Sequence, residues 1–399
     1  MRRSIGIGLV GAGFLAATRA RCWRKVAGVD ARLVAVTARR PERAAQFAAQ
    51  HGVAACCRDL DEVLARPDVD AVDLCVPNLL HRPFAERAAA AGKHVICTKP
   101  LAAYVGQDLG ADVSDAAVAA RDRLEMWQVA VADAQAMTAA AAGAGVLLMY
   151  GENWVYAPAI TRARELLTAA QATILEMRGF EAHSGSHSPF SMRWRDAGGG
   201  ALIRLGAHPI GAMLELKRAE GLARNGRPIE PVAVSAEVAD HAKLAARAGG
   251  ESFLAQGFVD VESWGCAIVS FADGAHGVAS GSDGLLGGME SRLSIMASNS
   301  HFECDLSPND MLRAYAPAAS TFGDEYIMEK ASTTAGWSTP MADEDWTSGQ
   351  LAMCEDFAAA IAGDRAPRAD GALGVAVTRV VYAAYAAAAT GQRMVLNTV

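Results

Sequence analysis

A glycine-rich turn is the first place where residue types and spacing in this chain suggest chemistry. Gly11-Ala12-Gly13-Phe14-Leu15-Ala16 follows the apolar run Ile5–Val10 and opens a segment with helical character that reaches about Val26. The first glycine permits a tight turn, the second lets backbone approach a pyrophosphate, and the small Ala16 lets helix and strand pack closely. Phosphates would rest on the helix N-terminus, where N–H groups lack partners and the dipole favours negative charge. A ligand-free glycine turn is the alternative. Against it stands the context, a strand before, a helix after and a second strand at Leu33–Thr37. That second strand ends in Thr37-Ala38-Arg39-Arg40, with no acid. A carboxylate there would hold a ribose 2′-hydroxyl and repel a 2′-phosphate, whereas arginine grips a phosphate with a planar fork of donors. Ala38, Arg39 and Arg40 therefore favour NADP, with NAD the alternative if the arginines only solvate a turn.

Other polar groups are less specific. His183, Ser184, His187 and Ser188 cluster before a glycine run. Two histidines raise the question of a metal, but no third ligand lies at useful spacing, so a substrate-binding loop is expected and no metal. Glu152 and Asn153 follow the strand-like Val146–Tyr150 and either reach the substrate or serve structure.

The elements that must position these groups alternate strand and helix over the first hundred residues. Strand-like runs at Ile5–Val10, Leu33–Thr37, Ala71–Val76 and His94–Cys97 are separated by helical segments. This rhythm predicts a doubly wound parallel sheet of the Rossmann type. A polar, Asp-rich stretch at 104–128 interrupts it as an insertion, and Ala132–Ala142 with Val146–Tyr150 closes a first domain over 1–150. Beyond it, strand-like runs at Thr173–Arg178, Val232–Val238, Cys266–Phe271, Gly277–Ser280 and Leu293–Ala297, with Asp273-Gly274 as a hairpin turn, predict an α+β domain over 151–399 with a mostly antiparallel sheet. At 399 residues the chain exceeds one ordinary core. A net charge of −7, with no basic stripe, argues against nucleic acid. The eight scattered cysteines include no CxxC pair, and no apolar leader or uninterrupted membrane-length run stands out, so a reduced, cytoplasmic protein with no membrane partner is expected.

Three further segments give the chain a family resemblance. Val76-Pro77-Asn78-Leu79-Leu80-His81 is similar to a strand-end P-N-x-x-H. Gly92-Lys93-His94-Val95-Ile96-Cys97-Thr98-Lys99-Pro100-Leu101 is similar to G-K-H-V-x-x-E-K-P-L. Gly198-Gly199-Gly200-Ala201-Leu202-Ile203-Arg204-Leu205-Gly206-Ala207-His208 is similar to G-G-G-x-L-x-D-x-G-x-H. Together with the glycine loop, these segments resemble the glucose-fructose oxidoreductase/inositol dehydrogenase (Gfo/Idh/MocA) family. The resemblance implies hydride transfer between a nicotinamide and a hydroxyl-bearing carbon of a sugar, cyclitol or related compound, acidic ones included. It implies an open-faced sheet in the second domain, used to build a homodimer or homotetramer. It places Lys99 and His208 beside the reacting carbon and Pro77, Asn78 and His81 on the cofactor side. The chemistry agrees: a histidine suits removal of a hydroxyl proton, and an ammonium polarises the same oxygen.

Two departures change the chemistry. Thr98 stands where the family has the acid of E-K-P. Arg204 stands where it has the aspartate of D-x-G-x-H, and Gly211 replaces a later acid. A guanidinium accepts neither proton nor hydrogen bond and disfavours a protonated neighbour. Four positions before His208 on a helix, Arg204 needs an anion, supplied either by a substrate carboxylate or by a protein acid, with Glu152 and Glu181 as candidates. Transient oxidation that enables elimination or glycoside cleavage, and a non-catalytic NADP-binding sensor, are the alternative functions.

Overall fold

Residues Ile5 to Val10 are all buried, as a strand covered on both faces requires. The computed structural model describes residues 4–110, 112–186, 188–247, 251–307, 311–327, 331 and 333–396. Six parallel strands, β1 (Ser4–Val10), β2 (Asp30–Thr37), β3 (Ala55–Cys57), β4 (Ala71–Leu74), β5 (His94–Thr98) and β6 (Leu148–Gly151), form one sheet in the order β3-β2-β1-β4-β5-β6. This is the doubly wound Rossmann sheet expected from the alternating pattern. The helix Phe14–Lys25 is fixed against this sheet by polar as well as apolar contacts. Its Trp23 Nε1 donates to Asp73 Oδ2 at 2.9 Å, and its Arg19 Nη1 donates to Gln350 Oε1 at 3.0 Å. Asp73 and Arg19 are both buried; burial pushes the Asp73 carboxyl up, against the pull of Arg19.

The second sheet has seven strands. These are β7 (Ile174–Ala182), β8 (Pro231–Ala239), β9 (Trp264–Phe271), β10 (His276–Ser282), β11 (Glu290–Ala297), β12 (His301–Ser307) and, after a small ribbon of β13 (Ala314–Ala316) and β14 (Gly336–Ser338), β15 (Met394–Val395). Their order is β12-β11-β7-β10-β9-β8-β15. Only the β7–β10 pair is parallel. Burial alternates along β9 and β10, with Ala267, Val269 and Ala279 inward. The helix Ala207–Asn225 packs on β7 and β10 over Gly179 and Gly277, whose missing side chains make room for Pro209 and Met213. On the other face Arg178, Ile268, His276 and Arg292 are exposed. The hairpin at Asp273-Gly274 joins β9 to β10 as expected, with the Gly274 N–H donating to Phe271 O.

The domain boundary departs from the one the sequence suggests. One compact unit comprises Met1–Ala103, Gln128–Tyr156 and Gly349–Thr378, and the other Tyr104–Trp127, Ala157–Ser348 and Arg379–Val399. The polar stretch Tyr104–Trp127 interrupts the Rossmann unit in sequence and belongs to the second unit. It is tied to the second unit by Asp115, which accepts from Arg195 Nε at 2.7 Å, and by Arg123, whose guanidinium lies 4.0 Å from the Trp194 ring centre. The strands β3, β12, β13, β14 and β15 are additions to the expected set. The helix Gly371–Thr390 is long and apolar enough to cross a membrane, yet 67% of its apolar window is buried within the protein, as in a core helix.

Candidate functional site

In the Rossmann unit the register brings the strand ends together. Val10 pairs with Leu74, Leu74 with Cys97, and Thr98 with Gly151. The residues that follow, Gly11, the segment from Cys75 to His81, Lys99 and Glu152, thus leave the sheet along one carboxyl edge, where such sheets bind ligands. Gly11 has φ of 119°, and a Cβ there would stand 2.2 Å from Cys75 O, so only glycine fits. At Gly13 no atom beyond its two chain neighbours lies within 4 Å of where a Cβ would be. Gly13 is also the N-cap of the helix Phe14–Lys25; no side chain caps that end, and no acid stands in its first turn. An open cradle before an uncapped helix N-terminus fits the pyrophosphate of a dinucleotide. Phe14 is exposed and Leu15 half-buried beside it. At the end of β2, Ala38 is half-buried and Arg39 and Arg40 are exposed.

His81 is the principal correction on this edge. The resemblance puts it on the cofactor side, but it is fully buried. Its Nδ1 lies 3.0 Å from Pro100 O and 3.2 Å from Leu101 O, and its Nε2 lies 3.0 Å from Val76 O. His81 is a brace between the segment after β4 and the one carrying Lys99. Burial lowers its pKa, against the raising effect of the three carbonyls. Pro77 is exposed and Asn78 half-buried. Lys99 is half-buried, and the Lys99–Pro100 peptide is cis. Glu152 is fully buried, and its Oε1 accepts from the Trp154 N–H at 3.1 Å; beside it Asn153 is also buried. This carboxylate thus caps its own loop.

In the second unit the glycine run is a backbone requirement. Gly199 has φ of 146°, and a Cβ on Gly200 would stand 1.8 Å from Glu262 O. The Glu262 carboxylate accepts from the N–H groups of Gly200 and Leu202, each at 2.9 Å, and from the Tyr385 hydroxyl at 2.8 Å. Tyr385 Oη also accepts from Gly200 N at 3.2 Å and Ile203 N at 3.3 Å. The start of the helix is thus capped from afar. Burial pushes the Glu262 carboxyl up, while its hydrogen bonds pull it down. Leu202–Gly206 is a π-helical turn, a widening often found at functional sites, and it carries Arg204. The buried His208 follows in the helix Ala207–Asn225.

An anion that meets Arg204 is a protein acid that sequence reasoning did not name, Asp283. Arg204 Nη1 donates to Asp283 Oδ1 at 3.2 Å, and Nη2 donates to Oδ2, a bidentate pair. Asp283 is buried at the end of β10, with its N–H on Ser263 O. His183 is buried alongside, its Nδ1 3.6 Å from Asp283 Oδ1. The Gly185 N–H donates to that same Nδ1 at 2.9 Å, which puts the proton of neutral His183 on Nε2. Arg204, Asp283 and His183 are thus one cluster; His187 lies outside the described residues. Among the described residues, no group of three His, Cys, Asp or Glu side chains could hold a metal. Sequence reasoning missed Asp283, Glu262 and Tyr385.

The family described as "Oxidoreductase family, NAD-binding Rossmann fold" (Gfo/Idh/MocA) matches residues 5–124. The whole chain superimposes on the crystal structure of GenD2 from gentamicin A biosynthesis in complex with NAD, with a TM-score of 0.77, 26% identity, and coverage of 100% of this chain and 98% of that one. Residues 5–124 thus carry the NAD-binding Rossmann domain of the Gfo/Idh/MocA family. Among the chain's relatives, levoglucosan dehydrogenase of Pseudarthrobacter phenanthrenivorans is 27% identical over 292 residues, 69% of this chain and 66% of that protein. The 1,5-anhydro-D-fructose reductase of Ensifer adhaerens is 28% identical over 235 residues, 57% of this chain and 59% of that protein. The match spans less than two thirds of either relative's length.

Proposed function

We propose that this protein is an NAD(P)-dependent oxidoreductase of the Gfo/Idh/MocA family, acting on a hydroxyl-bearing carbon of a sugar, cyclitol or related small molecule. The observation that carries this reading is the open, uncapped cradle at Gly11–Gly13, on the same sheet edge as Lys99. A bound nicotinamide dinucleotide would supply the hydride acceptor or donor. The N–H groups from Gly13 to Leu15 hold the pyrophosphate, and Pro77 and Asn78 line the ribose side. The Lys99 ammonium polarises the substrate oxygen and stabilises developing alkoxide charge. His208 takes the hydroxyl proton as alcohol becomes carbonyl, or returns it in the reverse direction. Arg39 and Arg40, exposed and without an acid beside them, favour a 2′-phosphate and hence NADP. A second copy of the chain covers the exposed face of the seven-stranded sheet.

The test combines nucleotide binding with turnover. NADPH and NADH are titrated by fluorescence, and nicotinamide absorbance is followed with a panel of sugars, cyclitols and lactones. Net oxidation or reduction is expected, with NADPH bound more tightly and Arg39→Ala weakening NADPH far more than NADH. Nucleotide binding without turnover across the panel would overturn the enzyme assignment. Tighter NADH binding by the unaltered protein would overturn the NADP preference alone.

A further inference from the structure

Within the second unit the helix Pro158–Ala169 packs against the helix Ala207–Asn225, but their C-terminal halves leave between them a cavity of about 510 Å³. Its walls follow from helical spacing. Arg164 and Leu167 on one helix, and Leu216, Ala219 and Ala223 on the other, recur three and four positions apart, so each set shares a face; Ile174, at the start of β7, lines the cavity too. Leu167, Leu216 and Ile174 are buried and give it an apolar wall, while Ala219 and Ala223 carry only a methyl group each and leave the space open. Its volume lies in the range of small-molecule sites. It is also remote from His208, since Leu216 and Arg224 follow that residue by eight and sixteen positions of one helix, roughly 12 and 24 Å. The charges at the cavity are unevenly committed. Glu220 spends both carboxylate oxygens, Oε2 on the buried Lys217 ammonium at 2.6 Å and Oε1 on Arg224 Nη1 at 3.0 Å. Glu215 Oε1 meets Arg164 Nε at 3.0 Å. The two terminal nitrogens of Arg164 bond no protein acceptor among the described residues. With Nε turned to Glu215, the Nη1–Nη2 edge is a planar fork of the kind that holds a carboxylate through two parallel bonds. Arg224 adds positive charge to the same lining.

We propose that this cavity is a second ligand site, for a small amphipathic monocarboxylate whose carboxylate sits on the Nη1–Nη2 edge of Arg164 and whose aliphatic or aromatic body lies against Leu167, Ile174 and Leu216. A neutral molecule of the same shape gains only the apolar contact, and an amine is repelled by Arg164 and Arg224. The site owes nothing to hydride transfer, and its test stands apart from that of the oxidoreductase reading.

The experiment uses 4-phenylbutanoate as the probe and 4-phenylbutanamide as its neutral match, each titrated against the full chain by ligand-observed NMR. The acid should bind with a Kd below about 1 mM, and the amide at least tenfold more weakly. Ala219→Phe, which puts a ring into the cavity, should remove binding of both. Arg164→Gln should bring the acid down to the level of the amide. Thermal melts show which variants fold. Should Arg164→Gln or Ala219→Phe not fold, the exposed Ala223 is changed instead. Ala223→Glu brings a like charge to the lining and should weaken the acid at least tenfold while leaving the amide unchanged. Acid and amide binding alike to the unaltered protein, a folded Ala219→Phe or Ala223→Glu that still binds the acid as the unaltered protein does, or no binding of the acid at about 10 mM would each overturn the proposal.

Discussion

Replacing His81 with leucine tests whether a buried imidazole sets the geometry of Lys99. Leucine fills comparable space, so little cavity is created and the loss is mainly polar. A neutral imidazole donates from one nitrogen only, so a single hydrogen bond goes, worth about 0.5–1.5 kcal/mol net. The carbonyl it served, at Val76 on one side or at Pro100 and Leu101 on the other, is then left buried, at about 1–3 kcal/mol. The sum is about 2–4 kcal/mol, read as a fall in urea midpoint. Turnover should fall at least tenfold, because the segment bearing Lys99 loses its brace, while NADPH affinity changes much less, because the glycine loop is untouched. The pH dependence has a definite sign. His81 titrates lower in the folded protein than in the unfolded chain, so its contribution is present above about pH 6.5 and is lost as pH falls through the depressed folded value. The stability gap between wild type and His81→Leu should therefore narrow on acidification below about pH 6.5. A gap that widens there, or a variant with unchanged turnover, would refute the reasoning.

Two further outcomes follow from the second unit. Glu262→Ala strips the cap from Gly200, Leu202 and the Tyr385 hydroxyl and should cost about 3–5 kcal/mol in urea unfolding; a loss under 1 kcal/mol would show that water replaces the carboxylate. The exposed sheet face bearing Ile268 should be covered by a second copy, so sedimentation at micromolar concentration should give a dimer or larger, and monomers alone would contradict this.

The glycine loop was legible in the sequence because each of its requirements is local. Gly11 is forced by its own φ and by a neighbouring strand end, and a strand and a helix flank it in sequence. The same holds for the parallel strands, whose continuous apolar runs match burial on both faces. Asp283 was not legible, because Ser282-Asp283-Gly284 reads as a turn and its partner lies 79 positions away. His81 was visible as a polar residue near a strand end, but whether it faced ligand or carbonyls depended on the distant Pro100 and Leu101. The attachment of the stretch 104–127 to the second unit was not legible for a related reason. Its allegiance is set by Arg195, Trp194 and Tyr382 far along the chain, and no local periodicity carries that information.

The interleaving of the two units has a consequence for how the chain is made. The Rossmann unit draws its last segment, Gly349–Thr378, from near the end of the chain. A ribosome that has already released β6 must add the whole span to Thr378 before that unit is complete, a delay of roughly 10–45 s at ordinary elongation rates. Through that interval the six-stranded sheet stands without the helix Gln350–Gly363, and Arg19 lacks Gln350 as its acceptor. The nascent chain therefore cannot finish its cofactor-binding half first and its other half second. The other unit in turn draws on residues from Arg379 onward, so the two reach completion almost together.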